Sequence, residues 1–124
     1  MMQTREQVTE SAVPSHRSDR LLDSDPATIP DLFLRSSVEF DLPDALNFKK
    51  DGVWNSISSR LMVERAGRIA LGLYCLGLRK GERAAILAAN SPEWTLADAG
   101  CQFAGIIDVP IYTTLAPDAV KYII

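Results

Sequence analysis

After residue 58, short apolar runs alternate with segments of helical periodicity, and this alternation constrains the fold more than any other feature. Residues 83–89 and 106–111 are apolar enough to form short strands, and each run follows a helical pattern. Strands that alternate with helices favour a parallel sheet with right-handed crossovers. The sequence therefore predicts an α/β fold in the order helix, strand, helix, strand, helix. Because two parallel strands alone make a poor sheet, we expect this layer to be incomplete.

Residues 1–27 differ in composition from the rest of the chain. They hold eight charged residues but neither an aromatic residue nor a glycine. Such a segment has little apolar surface to offset the entropy cost of ordering it. We predict a flexible N-terminal tail over residues 1–27 and one folded unit over residues 28–124.

The folded unit is predicted to open with a helix after Thr28. The threonine can cap the helix, Pro30 suits the first turn, and Asp31 completes a capping box. A β-hairpin is expected next, because an Asp-Gly pair lies between the apolar stretches at residues 45–48 and 53–57.

A long helix is predicted over residues 59–76, with Ser58 as its cap. At its start one face is apolar and the opposite face carries Arg60, Glu64 and Arg68. Its end is apolar all round, so we expect that end to be buried between layers. Gly77 fits a left-handed cap at the C-terminus of this helix.

The next helix has clear signals at both ends. Ser91 is a cap, Pro92 suits the first helical position, and Gly105 ends the helix. Trp94 lies in the first turn and has two interpretations: it packs on its own domain, which we favour, or it faces a ligand pocket. A last helix is predicted to open at residues 116–118.

The residue inventory excludes several kinds of site. The chain has one histidine, His16, which lies in the predicted tail, so a Ser-His-Asp or Cys-His site is not expected. The spacing of His16, Cys75 and Cys101 does not suit zinc, and no metal site is predicted. With 13 basic and 16 acidic residues, the net charge of −3 argues against a nucleic-acid partner.

The two cysteines indicate the compartment. Cys75 and Cys101 each lie in an apolar helical pattern, and we predict that both are buried free thiols in a reducing environment. No secretory signal pattern is visible at the N-terminus, and no apolar run is long enough to span a bilayer. We therefore expect a cytoplasmic protein.

Phosphate-binding motifs are absent. The glycine spacing at residues 72–77 resembles the start of a Walker A loop, but Leu78 and Arg79 replace the required lysine and hydroxyl residue. No G-x-G-x-x-G motif is present either. Asp108 is a single carboxylate in an apolar strand; a structural hydrogen-bonding role is favoured over a functional acid.

Tyr112, Thr113 and Thr114 are the candidate substrate-binding residues. They follow the carboxyl end of a predicted strand, where open α/β sheets place their ligands. Because position alone supports this role, they are weak candidates.

Three stretches together resemble the AMP-forming adenylating superfamily, and its long-chain fatty-acid–CoA ligases most of all. They read WNSISS at 54–59, KGERAAILAANSPEW at 80–94 and FAGIIDVPIYTTLAP at 103–117. The resemblance covers roughly residues 28–124. The combination of NSPEW with VPIYTTL is specific, although each piece alone is not. Arg60 departs from the pattern, since the family often has an acid there.

The resemblance implies an incomplete piece of the large N-terminal domain of an acyl-CoA synthetase. In this family a carboxylate attacks the α-phosphate of ATP and releases pyrophosphate, and the thiol of CoA then attacks the acyl-adenylate. The full-length enzyme uses ATP, Mg²⁺ and CoA. In the family's order the phosphate loop, the acidic residues and the adenylation lysine lie beyond Ile124, so no catalytic, cofactor-binding or metal-binding residue is assigned here and none of these groups is expected to bind this chain.

Two hypotheses of different classes follow, with a weaker third. The first is the N-terminal part of a long-chain fatty-acid–CoA ligase, inactive alone and partnered by the remainder of the synthetase. The second is a stand-alone interaction module that forms homodimers through the exposed apolar residues 120–124. The third is a small nucleotide-binding α/β domain unrelated to synthetases. Contact with a membrane is expected to be peripheral at most.

Overall fold

A computed structural model describes residues 25–124, and the elements fall in an α-β-β-α-β-α-β-α order. The helices are α1 (Ile29–Glu39), α2 (Ser59–Cys75), α3 (Pro92–Ala104) and α4 (Pro117–Ile123). The strands are β1 (Leu46–Lys50), β2 (Val53–Ile57), β3 (Arg83–Leu87) and β4 (Ile107–Ile111). Most of the predicted tail, with His16, lies outside the described residues.

Helix α1 begins with the predicted capping box. The Thr28 hydroxyl accepts a hydrogen bond from the Asp31 backbone N–H at 3.2 Å, and the Asp31 carboxylate accepts one from the Thr28 N–H at 3.0 Å. These two bonds satisfy amide groups that have no partner within the helix. The start of α1 is therefore fixed by local chemistry.

We expect Thr28→Ala to lower the free energy of unfolding by about 1 kcal/mol, because alanine cannot accept the Asp31 N–H. Urea unfolding followed by circular dichroism measures this change. Thr28→Ser is the matched control, since serine keeps the accepting oxygen and is expected to behave like the parent chain. Equal losses from both variants would contradict a capping role.

The hairpin of β1 and β2 forms at the predicted place. The strands are antiparallel, and their turn holds Asp51 and Gly52, both with positive φ angles, 52° and 81°. Two successive residues with positive φ are typical of the two-residue turn that matches strand twist. The hairpin thereby turns Ile57 into the core, where it is 4% exposed.

Strands β3 and β4 are parallel neighbours, as predicted. Their register pairs Arg83 with Ile107 at one end and Leu87 with Ile111 at the other. Helix α3 connects them, packs against both, and lies against α2 on its other side. Gly105 ends α3 in the left-handed conformation with φ of 68°, which confirms its role as a stop signal. The α/β fold class is thus confirmed.

The core lies where the hairpin, α2 and α3 meet. Ile57, Met62 and Leu96 form a buried cluster. Partly buried apolar side chains pack around it: Phe33, Leu46, Phe48, Leu61 and Ile69. The rings of Phe33 and Phe103 meet edge to face at 5.8 Å, which joins α1 to α3.

Arg60, which departs from the family pattern, has a partner in the loop between α1 and β1. Its guanidinium donates to both oxygens of Asp41 at 2.8 and 2.7 Å. The arginine hydrogen bond lowers the pKa of the Asp41 carboxyl. Because both groups are exposed, the pair orients the loop between α1 and β1 more than it stabilises the fold.

The end of α2 is exposed, so the prediction that it lies buried between layers is wrong for this structure. Leu71 is 68% exposed, Tyr74 is 58% and Leu76 is 79%. Cys75 is exposed as well, whereas Cys101 is buried as predicted. An apolar pattern on all sides identifies surface that favours burial, but burial also requires a neighbouring element. Within residues 25–124 no element covers this side of α2.

Strand β3 is less buried than its apolar sequence suggests. Only Ile86 is buried in it, and Leu87 is 54% exposed. Helix α3 packs on one face of the strand, and the other face is open within the described part of the chain.

No helix among residues 25–124 combines the length and apolar character needed to cross a bilayer.

Candidate functional site

A cleft of about 810 Å³ lies at the carboxyl ends of β3 and β4. Eight residues line it: Ala88, Ala89, Asn90, Trp94, Pro110, Ile111, Tyr112 and Thr113. Open α/β sheets bind ligands at this end of their strands, and a cleft of this size suits a small molecule. It is therefore the candidate functional site.

The register of the parallel strands creates the two long walls of the cleft. Leu87 and Ile111 are the last paired residues, so residues 88–90 and 112–113 leave the sheet side by side. The backbone separates here because the ladder of hydrogen bonds has ended. The space between the two departing segments is the cleft.

The start of α3 supplies the third wall. The Ser91 hydroxyl accepts a hydrogen bond from the Trp94 N–H at 3.2 Å and caps the helix, with Pro92 in its first turn. This cap fixes Trp94 one turn into the helix, where its half-buried indole lines the cleft. Trp94 therefore both packs on its own domain and faces a pocket, so neither sequence interpretation alone describes it.

The cleft contains two of the three predicted substrate-binding residues. Tyr112 and Thr113 line it, and the tyrosine is 80% exposed. Thr114 follows them along the chain but is not among the lining residues. Substrate contact by any of the three remains a prediction. Sequence reasoning missed Ala88, Ala89 and Asn90, although the rule that selected Tyr112 applies equally to the end of the neighbouring strand.

The lining of the cleft carries no charged side chain. Binding of a triphosphate or of Mg²⁺ calls for cationic donors or for carboxylate ligands. Among residues 25–124, no group of three or more His, Cys, Asp or Glu side chains could hold a metal ion. The lining of the cleft therefore offers neither cationic donors nor carboxylate ligands, and we derive no chemical step through ATP phosphates or Mg²⁺.

A pair of carboxyl groups joins α3 to β4 beside the buried Cys101. Asp98 accepts a hydrogen bond from the Gln102 side chain at 3.0 Å, and it lies close enough to Asp108 for their charges to interact. Partial burial raises the pKa of Asp98, and the charge of Asp108 raises it further. Burial likewise raises the pKa of the Cys101 thiol. Asp108 is therefore not the isolated carboxylate that the sequence suggested, and its structural hydrogen-bonding role stays a prediction.

The raised pKa of Asp98 predicts that stability falls as pH rises. In the unfolded chain this carboxyl titrates near its ordinary value of about 4. Over the window from that value up through the folded-state pKa, the folded state binds more protons, so the free energy of unfolding decreases with pH. We expect Asp98→Asn to remove this decrease and to stabilise the chain at neutral pH. Urea unfolding at a series of pH values measures both effects.

Glu93 provides the control with the opposite sign. Hydrogen bonds from its own backbone N–H and from Ser91 lower its pKa, so its stabilising contribution is lost as pH falls. Glu93→Gln is expected to remove stability at neutral pH and not at acid pH. If Asp98→Asn and Glu93→Gln changed the pH dependence of the free energy of unfolding in the same direction, the loss of stability with rising pH would not be due to Asp98.

Most of the chain matches a known family. The family is described as AMP-binding enzyme, and the match covers residues 41–124, more than half of the 124 residues. The chain belongs to the AMP-binding enzyme family. This membership confirms the resemblance to adenylating enzymes and excludes the third hypothesis, an α/β domain unrelated to synthetases.

Curated relatives of this chain are long-chain-fatty-acid–CoA ligases. ACSBG1 of Bos taurus is 36% identical over 107 residues, which are 86% of this chain and 15% of the relative. ACSBG1 of Homo sapiens is 39% identical over 98 residues, which are 79% of this chain and 14% of the relative. The chain thus spans about 15% of the length of the curated relatives it matches.

Solved structures of acyl-activating enzymes share the fold. The fatty acid AMP ligase from Legionella pneumophila superposes with a TM-score of 0.69 at 22% identity, over 82% of this chain and 18% of that one. A fatty acyl CoA synthetase from Mycobacterium tuberculosis gives a TM-score of 0.54 at 36% identity, over 56% of this chain and 14% of that one. The chain therefore has the architecture of part of such an enzyme.

Proposed function

We propose that this chain is part of a long-chain-fatty-acid–CoA ligase, which joins a fatty acid to CoA through an acyl-adenylate. The observation that carries the proposal is the identity of 36–39% to ligases of that name over most of this chain. The cleft supports it by position, because it lies at the strand ends where this fold class binds ligands.

Within that enzyme, these residues act as scaffold and as one wall of the substrate site. Ligases of this family use ATP, Mg²⁺ and CoA, whereas the lining of the cleft holds no charged side chain and residues 25–124 hold no group of three or more potential metal ligands. We infer that other parts of the enzyme hold those groups. The chain by itself is therefore not expected to form an acyl-adenylate.

The test compares the full-length enzyme that contains this sequence with the 124-residue chain alone. The full-length enzyme is expected to form acyl-CoA from a long-chain fatty acid, ATP, Mg²⁺ and CoA. The chain alone is expected to show no exchange of pyrophosphate into ATP. The proposal fails if the full-length enzyme forms no acyl-CoA, and the assignment of chemistry to other segments fails if the chain alone supports exchange.

A non-catalytic interaction module remains the second candidate, because apolar side chains are exposed at two places. Tyr122 and Ile124, in and after α4, are 93% and 79% exposed, and Leu76 at the end of α2 is 79% exposed. Exposed apolar surface of this kind suits a second copy of the chain or the remainder of a synthetase. Sedimentation equilibrium distinguishes the cases, since a monomer without a partner counts against a homodimer.

A cytoplasmic location is part of the proposal. It rests on the two unpaired cysteines, Cys75 and Cys101, which a reducing compartment keeps as thiols. Fractionation of cells that express the full-length enzyme tests it. Recovery with the washed membranes would contradict this location, and it would also contradict the expectation that membrane contact is peripheral at most.

A further inference from the structure

A groove of about 640 Å³ lies between the ends of α2 and α3 and shares no lining residue with the cleft. We call it the α2–α3 groove. Its floor is apolar and includes Ala70, Leu71, Tyr74, Leu78 and Phe103. Leu71 and Tyr74 are 68% and 58% exposed. Exposed apolar side chains that are gathered in one groove indicate a surface that another segment covers.

One end of the groove is cationic, because Arg79 and Lys80 line it. The Arg79 guanidinium lies over the Tyr74 ring at 3.9 Å and donates to the Tyr74 backbone oxygen at 2.9 Å, so its position is fixed. Lys80 forms no ion pair with a carboxylate of residues 25–124. The groove therefore suits an occupant that combines apolar side chains with negative charge.

The chain itself contains a segment of this composition at residues 19–24. Its two leucines, at 21–22, are the only leucines among the first 27 residues, and Asp19 and Asp23 flank them. With Arg20 included, the net charge of the segment is 1 − 2 = −1. The leucines match the apolar floor of the groove, and the aspartates match its cationic end.

The chain enters the described structure at α1, which borders the groove. Asp25 lies 3.9 Å from the Arg35 guanidinium of this helix. Helix α1 packs on both α2 and α3, and its Phe33 ring meets the ring of Phe103, which lines the groove. Six extended residues span about 20 Å, which is roughly twice the diameter of a helix. Residues 19–24 are therefore long enough to cross α1 and reach the groove.

We propose that residues 19–24 bind in the α2–α3 groove of their own chain, with the two leucines on its floor and Asp23 paired with Lys80. The contact covers a side of α2 that no element among residues 25–124 covers. Because the segment is tethered close to the groove, its effective concentration is high and weak contacts suffice. The inference does not depend on the proposed function, since no substrate takes part in the contact.

Cleavage by an arginine-specific protease tests whether the segment is covered. The synthetic peptide of residues 1–27 gives the intrinsic initial rates of cleavage after Arg5 and after Arg20. Cleavage after Arg20 is expected to be about tenfold slower in the 124-residue chain than in the peptide, because it requires release of the segment. Cleavage after Arg5, outside the segment, is expected at equal rates in both. Equal rates at Arg20 as well would overturn the inference.

A pair of leucine variants locates the contact. Leu71→Asp places a charge on the floor of the groove and is expected to restore cleavage after Arg20 to the rate of the peptide. Leu76→Asp is the matched control, because Leu76 is also mostly exposed but does not line the groove. It is expected to keep the protection, and circular dichroism verifies that both variants fold. Protection that survives Leu71→Asp, or that both variants lose, would overturn the groove as the site.

Exchange of the two charges tests the ion pair. Lys80→Asp and Asp23→Lys are each expected to reduce the protection of Arg20, and the double variant is expected to regain it. Each rate is compared with that of a peptide with the same residue at position 23. Lys49→Asp, at an exposed position outside the groove, is expected to change nothing. A double variant no better protected than the single ones would overturn the pairing.

Other occupants of the groove give different results. Protection within one chain is expected to persist on dilution, so its loss on dilution would assign the groove to a second copy and overturn the inference. The full-length enzyme is expected to show the same protection of Arg20. Cleavage there at the rate of the peptide would assign the groove to the remainder of the enzyme, which also overturns the inference. Neither result bears on whether that enzyme forms acyl-CoA.

Discussion

Replacing Leu96 with alanine is expected to lower the free energy of unfolding by about 2–5 kcal/mol. Leu96 is 4% exposed and packs with Ile57 and Met62 in the cluster where the hairpin, α2 and α3 meet. The substitution removes the hydrophobic contribution of the side chain and leaves a cavity that the three elements close only in part. Because domains of this size are stable by about 5–15 kcal/mol, the loss is a large share of the total.

Leu76→Ala is the matched control for Leu96→Ala. The same change of side chain is made at a residue that is 79% exposed, so the expected effect is within about 0.5 kcal/mol. Urea unfolding of both variants, followed by circular dichroism, gives the comparison. Similar losses in the two variants would show that the core does not lie where the structure places it.

Gly100→Ala is expected to lower the free energy of unfolding by about 1–3 kcal/mol, through crowding between two helices. Gly100 is buried in α3 where that helix crosses α2. A methyl group at this position would stand 2.7 Å from the Ile69 Cβ and 3.3 Å from the Ala66 carbonyl oxygen. Because both are backbone or near-backbone atoms, the helices themselves must move apart to admit it.

Gly72→Ala makes the same substitution where there is space. Gly72 lies in α2, and a methyl group there meets no atom within 4 Å. Alanine favours the helix over glycine, so this variant is expected to be more stable by about 0.5–1 kcal/mol. If Gly100→Ala destabilises the chain and Gly72→Ala stabilises it, the loss at Gly100 is due to steric crowding and not to the loss of glycine. A stabilising Gly100→Ala would mean that α2 and α3 are further apart than described.

The ends of the helices and the turn of the hairpin could be predicted from sequence because their chemistry is local. Each of these signals depends on a few neighbouring residues. They are the cap made by Thr28 and Asp31, the cap made by Ser91 before Pro92, and the positive φ of Gly105. Such signals act within one turn of chain, so they do not require knowledge of the tertiary structure. The parallel pairing of β3 and β4 followed from the order of the elements.

Burial was harder to predict than secondary structure. The apolar end of α2 was expected to be covered, yet Leu71 and Tyr74 are mostly exposed. Periodicity reports how apolar a face is and does not report which element lies against it. The contact between Asp98 and Asp108 was missed for the same reason, because it joins a helix to a strand.

The candidate site was predicted in part. The carboxyl-end rule found Tyr112 and Thr113, which line the cleft. The opposite wall, residues 88–90, was missed because β3 was expected to run to Ala89. In the structure its pairing with β4 ends at Leu87, opposite Ile111. The number of paired residues depends on both strands, so the apolar pattern of one strand cannot predict where the pairing ends.

The pairing of β3 with β4 has a consequence for handling the protein. Each strand has one neighbour among the described strands, so each presents an outer edge of unpaired backbone groups. Pro110 removes one donor from β4, but β3 has no such interruption. An open edge is a template for strand addition, so we expect concentrated preparations of this chain to aggregate. The edge of β3 pairs with whichever strand reaches it first. At high concentration that strand comes from a second copy of the chain.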